Sequence, residues 1–211
     1  MTVEKYEKIA IFLDTNILLK NLRMDSNKFN DLIEFSESLE NNCTLCITEM
    51  NLNELREHFE SRIDEVFQKI SSLNNDLSRI TEIETEINCT ISKEEIVDNF
   101  YNKLTSTFQI IYPSNKATKR VFDRYYRKLQ PFKNNKREFK DALIWETIYE
   151  YAKTNMDTQI FFVSENHQDF GINKDDEIVL HDDFPNENGR IIYLNNFDKL
   201  LEKLEIIRPL Y

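Results

Sequence analysis

The stretch that decides the fold is IAIFLD, residues 9–14. It contains five consecutive apolar residues and ends in one carboxylate, Asp14. A continuously apolar strand is typical of the centre of a parallel sheet, where both faces are buried. The segments TLCI (44–47), IFFVS (160–164) and IIYL (191–194) indicate further strands. Because helical patterns separate these strands, the sequence predicts an α/β fold with a central parallel sheet.

A long helical pattern interrupts the alternation of strands and helices. Apolar residues recur at steps of three or four from Leu52 to Ile87, and a second stripe begins after a capping residue, Ser92. We expect the two stripes to pack as an inserted helical hairpin. An unbroken helix over 52–87 would be roughly 50 Å long, so we also expect a second copy of the chain to cover part of its stripe, giving a homodimer.

Composition excludes several classes of protein. The chain has only two glycines, so it cannot build the glycine-rich loops that hold nucleotide phosphates in ATPases and dinucleotide enzymes. Its N-terminal residues lack the apolar region of a signal peptide, and no apolar run is long enough to cross a membrane. We therefore expect a cytoplasmic protein without a membrane partner.

The charge is unevenly distributed. The formal net charge is −11, yet residues 116–140 hold ten basic and two acidic side chains, which makes that segment +8 and the remainder −19. The segment could be a solvated helix face, or it could hold a nucleic-acid backbone, with its interleaved aromatic residues stacking on bases. The residues expected to contact nucleic acid are Lys119, Arg120, Arg124, Arg127, Lys128, Arg137 and Lys140.

Four acidic residues lie near the ends of different predicted elements. Asp14 and Asp169 follow strands, and ligands of open α/β sheets bind beyond the carboxyl ends of strands. Glu54 borders the long apolar stripe, and Asp141 lies within a helix, where aspartate is unfavourable. Each alone fits a cap, a turn or a surface position. Together they predict an oxygen site for Mg²⁺ or Mn²⁺, which suits hydrolysis of a phosphodiester bond.

Four segments carry a resemblance to a known family. FLDTNILL (12–19), ITEMNLNEL (47–55), FKDALIWETI (139–148) and FVSENHQDFG (162–171) resemble, in order and spacing, the motifs of the PIN-domain nucleases, which include the ribonuclease toxins of toxin–antitoxin pairs. The resemblance covers roughly residues 8–56 and 120–205. It implies a three-layer PIN-like fold, a single domain over residues 1–211, and a helical insertion at about 57–112.

The resemblance also implies roles for individual residues. Asp14, Glu54 and Asp141 match the first three acidic positions of the family, and Asp169 is our choice for the fourth. In many members the last acid stands two residues after a Ser or Thr, a place held here by Asn166, so either Asn166 or Asp169 could contact the metal. Asn16 and Ser164 match positions that orient the carboxylates.

The expected activity is metal-dependent hydrolysis of RNA, leaving a 5′-phosphate and a 3′-hydroxyl. A DNA nuclease of the flap or 5′ type is an alternative, because RNA and DNA present the same phosphate to a metal. A catalytically silent module that binds RNA or protein is another. By analogy with the family, the biological role would be that of a toxin or a phage-defence effector, with an inhibitor or effector protein as partner.

Overall fold

A five-stranded parallel sheet forms the centre of the protein. The computed structural model describes residues 6–81, 87–133, 136–174, 177–186 and 189–207. The strands are β1 (Lys8–Leu13), β2 (Cys43–Thr48), β3 (Gln109–Ile111), β4 (Thr158–Val163) and β7 (Ile191–Leu194). Their order in the sheet is β3-β2-β1-β4-β7, and every neighbouring pair is parallel. The α/β fold predicted from the sequence is therefore confirmed.

Helices alternate with these strands along the chain, and a small antiparallel hairpin follows β4. The helices are α1 (Thr15–Leu19), α2 (Asn27–Ser38), α3 (Glu49–Ile80), α4 (Lys93–Thr107), α5 (Asn115–Arg127), α6 (Phe139–Thr154) and α7 (Phe197–Ile207). The antiparallel hairpin consists of β5 (Gly171–Lys174) and β6 (Glu177–Leu180). No described helix is long and apolar enough to cross a membrane.

The chain divides into two compact units, one made of residues 1–52 and 108–211 and the other of residues 53–107. In the first unit, the side chains of the central strands pack against α6. Phe12 of β1 and Phe162 of β4 belong to the same buried cluster as Trp145 of α6. Residues 9–13 of β1 are all buried, and consecutive residues of a strand face opposite sides of the sheet. Both faces are therefore covered, which explains why the strand sequence is continuously apolar.

The second unit contains most of α3 together with α4. Phe59 of α3 stacks on Phe100 of α4 with ring centroids 3.9 Å apart, and Lys93 pairs with Asp64. The expected packing of the two stripes as a helical hairpin is thus confirmed. The first helix continues through the polar residues 74–76 and ends at Ile80.

Some sequence expectations differ from the structure. The apolar stripe was expected to continue to Ile87, but the helix ends seven residues earlier, and Ile83 lies outside the described residues. Strand β3 and the β5–β6 hairpin were not expected, because strands of three and four residues are too short for a clear pattern. The helix expected from about residue 136 begins at Phe139.

Candidate active site

The register of the two central strands brings Asp14 and Ser164 together. Leu13 of β1 pairs with Val163 of β4, so the next residue of each strand emerges at the same edge of the sheet. The Asp14 backbone N–H donates to the Val163 carbonyl at 3.0 Å, and the Ser164 hydroxyl donates to Asp14 Oδ2. Both side chains are buried. Residues 150 positions apart in sequence are therefore in direct contact.

Four donors surround the Asp14 carboxylate. Oδ1 accepts from the Thr15 backbone N–H at 2.9 Å and from Asn51 Nδ2 at 2.7 Å. Oδ2 accepts from Asn16 Nδ2 at 2.8 Å and from the Ser164 hydroxyl. Since a carboxylate offers about four acceptor sites, these contacts give Asp14 a single orientation. Asn16 and Ser164, to which the resemblance assigns an orienting role, both contact this acid; that role in catalysis stays a prediction.

Asn51 is a residue of this site that sequence reasoning missed. It lies near the start of α3 and is buried, with its Oδ1 accepting from the Thr48 hydroxyl at 2.5 Å. That contact turns its amide nitrogen toward Asp14. The available signal was the Thr-x-x-Asn spacing from Thr48 to Asn51 at the start of the helix, where the Thr48 hydroxyl also accepts from the Asn51 backbone N–H at 3.3 Å.

The loop after β4 connects Ser164 to Asp141. The Asn166 backbone N–H donates to Ser164 Oγ at 3.1 Å, while Asn166 Nδ2 donates to Asp141 Oδ2 at 3.4 Å. Asp141 occupies the first turn of α6 and is half-buried. A continuous chain of hydrogen bonds thus runs from Asp14 through Ser164 and Asn166 to Asp141.

Asp169 has a different environment. Its carboxylate is buried and pairs with Lys136, with Nζ and Oδ1 2.6 Å apart. Its backbone N–H donates to the Asn166 carbonyl at 3.3 Å, so both residues belong to one turn. Of the two candidates for the fourth metal-contacting position, Asn166 is the one whose side chain contacts another predicted acid.

Glu54 belongs to the second compact unit, where it is half-buried on α3. Its membership of the acidic site stays a prediction.

Tyr193 lies beside Ser164, on strand β7, which pairs with β4. Its hydroxyl donates to the Ser164 carbonyl at 2.8 Å. Burial raises the pKa of Tyr193 above its ordinary value, and the negative charge of Asp14 raises this pKa further. Tyr193 therefore remains a neutral hydrogen-bond donor that supports the Ser164 backbone.

The chemistry of the donor atoms fits a hard divalent cation. The side chains that meet here offer carboxylate and amide oxygens, which are the ligands that Mg²⁺ and Mn²⁺ prefer. Among the residues that the structure describes, no three His, Cys, Asp or Glu side chains form a complete metal site. A site with one or two carboxylates still suits Mg²⁺, which commonly completes its shell with water and substrate phosphate.

Two arginines that we expected to contact nucleic acid have structural roles instead. Arg124 is only 4% exposed, and its guanidinium binds Glu146 and the carbonyls of Gln130 and Asp183. The expectation for Arg124 is therefore wrong, because its donors are used inside the fold. Arg120 is three-quarters buried and pairs with Glu146 and Glu150, so its guanidinium is likewise directed inward.

The remaining residues of the basic set lie on the surface. The exposed ones are Lys119, Arg127, Lys128, Arg137 and Lys140. Helix α5 explains the division, because Ala117, Val121 and Arg124 form its buried side. A helix turns once every 3.6 residues, so an alternating run of basic residues is split between a buried and an exposed face.

The chain is similar to known proteins in its sequence and in its structure. A crystal structure of VapBC2 from Rickettsia felis, bound to a DNA fragment from its promoter, is similar at a TM-score of 0.46 and 17% identity, over 75% of this chain and 88% of that chain. No curated protein matches the sequence. A family model described as PIN domain matches residues 11–170, a range that contains Asp14 and the chain of hydrogen bonds to Asp141. The chain therefore belongs to the PIN-domain family.

Proposed function

We propose that this protein is a metal-dependent endoribonuclease. PIN domains are generally nucleases, and they generally use divalent metals. The observation that carries the proposal is the connection from Asp14 through Ser164 and Asn166 to Asp141 at the carboxyl edge of the sheet. Ordered carboxylates at this edge are suited to holding a cation against a phosphate group.

Asp14 and Asp141 would hold the metal, with Glu54 and one residue of the 166–169 turn as further contributors. When bound, Mg²⁺ or Mn²⁺ supplies charge neutralisation at the phosphate and lowers the pKa of a coordinated water. The residues of the chain provide positioning. Thr15, Asn16 and Asn51 hold Asp14 in place through N–H groups. The Ser164 hydroxyl can rotate about its Cβ–Oγ bond, and this would free one acceptor site on Oδ2.

The proposal extends to the organisation of the chain and to its role. We infer a single PIN-like domain over residues 1–211 with a helical insertion at about 57–112. By analogy within the family, the protein would act as a toxin or a phage-defence effector held in check by a partner protein. RNA is preferred over DNA as the substrate on the same analogy.

The deciding experiment is incubation of the purified chain with labelled RNA and labelled DNA, in Mg²⁺, Mn²⁺ or EDTA. We expect cleavage of RNA that requires the metal and yields 5′-phosphorylated ends. Preferential cleavage of DNA would identify a DNA nuclease, and binding without cleavage in either metal would identify a silent module. Full activity in EDTA would show that cleavage does not require a metal.

A further inference from the structure

A cluster of exposed aromatic rings lies on α5 and at the start of α6. Exposed fractions are 51% for Phe122, 42% for Tyr125, 78% for Tyr126 and 38% for Phe139. Such large rings are seldom left together in water without a function, because contiguous apolar surface favours association. We refer to these four residues as the aromatic patch.

The rings are arranged as a continuous surface on a fixed base. Tyr125 lies 5.2 Å from Phe139 and 5.7 Å from Tyr126, measured between ring centroids, and Phe122 lies 6.4 Å from Phe139. Phe132 is buried beneath them, 5.4 Å from Tyr125 and 4.9 Å from Phe139. Because the buried ring packs against Tyr125 and Phe139, these two rings lose little side-chain entropy when a flat ligand stacks on them.

Basic side chains border the aromatic patch. On α5, Lys119 precedes Phe122 by three residues and Tyr126 follows by four, so all three share the exposed helix face. Beyond the helix, a cleft of about 450 Å³ is lined by Tyr125, Tyr126, Lys128, Phe132, Lys136 and Arg137. Outside residues 116–140 the chain carries −19, so this is the surface that suits a polyanion.

The aromatic patch is continuous with the candidate active site. Lys136 lines the cleft, and its ammonium contacts Asp169 in the loop after β4. Tyr125 and Tyr126 of the patch line the same cleft, so Lys136 connects the patch to this loop. A strand that lies on the patch would therefore be directed toward the acidic residues.

We infer that the aromatic patch binds unpaired bases of a single-stranded nucleic acid, while the bordering lysines and arginines contact its phosphates. The inference rests on the proposed function, since it specifies the form of substrate that reaches the acids. Unpaired bases present flat faces that stack on aromatic side chains, whereas in a duplex these faces are covered by neighbouring base pairs. An acidic protein segment would satisfy the charges but would leave the flat rings without matching partners.

Binding is measured in EDTA, so that the substrate is not cut, by fluorescence anisotropy of a labelled oligoribonucleotide and of a duplex of the same sequence. We expect tighter binding of the single strand. Tyr126→Ala and Phe122→Ala should each weaken single-strand binding roughly 5- to 150-fold, the range given by one lost stacking contact. Tyr112→Ala is the matched control, because Tyr112 is 65% exposed and lies outside the patch; it should bind like the parent.

A second readout reports stacking directly. The single native tryptophan, Trp145, is fully buried and should not respond to a ligand. Tyr126→Trp places an indole in the patch. This variant should bind single-stranded RNA as tightly as the parent does, and the bound RNA should quench the fluorescence of the introduced indole. Equal affinities for duplex and single strand, or unchanged binding by both alanine variants, would overturn the inference. Binding of a polyglutamate peptide that depends equally on Tyr126 would also overturn it and assign the patch to an acidic protein.

These results separate the patch from the proposed nuclease. If RNA cleavage needs Asp14 but the alanine variants bind like the parent, the nuclease proposal is supported and the role of the patch is refuted. If the alanine variants lose single-strand binding but the parent cleaves no RNA in either metal, the role of the patch is supported and the nuclease proposal is refuted.

Discussion

Asn51 donates its side-chain amide to Asp14 Oδ1 at 2.7 Å, although 37 residues separate them in the chain. The Thr48 hydroxyl, at the end of β2, fixes the orientation of that amide. One polar side chain thus connects the ends of two neighbouring strands and presents a donor to the central acid. A buried contact of this kind makes the position sensitive to charge.

Asn51→Asp should destabilise the protein at neutral pH, because a second carboxylate would then face Asp14. We expect a loss of about 1–3 kcal/mol, the usual cost of an unpaired buried polar group. Repulsion raises the folded-state pKa of the introduced carboxyl group, so the loss should shrink as pH falls through that pKa. Urea unfolding at pH 7 and pH 5 measures this. Asn53→Asp, at an exposed position on the same helix, is the control and should show neither effect.

Asp14→Asn and Asp141→Asn should each abolish RNA cleavage, reducing it to the background seen with EDTA, because each removes a negative oxygen from the proposed metal site. Circular dichroism should show that both variants remain folded. Asp31→Asn, an exposed acid on α2, should cleave like the parent. Parental rates in both site variants would contradict the nuclease proposal.

The contribution of the 166–169 turn can be ranked by single-turnover rates. Asn166→Ala should slow cleavage more than Asp169→Asn, because Asn166 contacts Asp141 while Asp169 pairs with Lys136. Lys136→Met tests that ion pair. If the pair is structural, Lys136→Met and Asp169→Asn should lower the free energy of unfolding by similar amounts. The reverse ranking of rates would assign the fourth metal contact to Asp169.

Glu146→Gln should cost about 3–5 kcal/mol of unfolding free energy, since breaking a buried ion pair leaves an uncompensated charge. Arg124 and Glu146 are paired inside the fold, with Nε and Oε1 2.5 Å apart. Burial lowers the pKa of Arg124, and the contact with Glu146 opposes that shift. Glu150→Gln is the matched control on the same helix. Its partner Arg120 keeps Glu146 as a second contact, so the loss should be smaller. Urea denaturation curves compare the two; equal losses would contradict this assignment.

Self-association is expected from the long helix α3. Val66, Leu73 and Ile80 recur at seven-residue intervals and are 44%, 52% and 79% exposed. Such a seam is typical of a surface that packs against another helix. Light scattering at micromolar concentration should give the mass of a dimer, and Leu73→Glu should give that of a monomer. Asn75→Glu, an exposed polar position nearby, should remain dimeric. A monomeric parent would refute the expectation.

Features that depend on local patterns were predictable from the sequence. The apolar run before Asp14 identified a central strand, because burial on both faces excludes polar residues. Ser92 was recognised as a helix cap, and its hydroxyl accepts from the Glu95 backbone N–H at 3.1 Å. The order of strands and helices predicted the fold class, and the edge where strands end predicted the place of Asp14. The roles of Asn16 and Ser164 beside that acid were implied by the resemblance to the family.

Features that depend on which segments meet were decided only by the tertiary structure. Asn51 beside Asp14 requires the pairing of β1 with β2, and Lys136 beside Asp169 requires packing across 33 residues of chain. The sequence predicts Arg124 to be a surface cation, whereas in the structure its guanidinium donates to Glu146 of α6 inside the fold. A sequence pattern shows which face of a helix or strand is apolar. The partner of a polar side chain is set by the register and packing of segments distant along the chain, where a shift of one residue exchanges the buried and exposed faces.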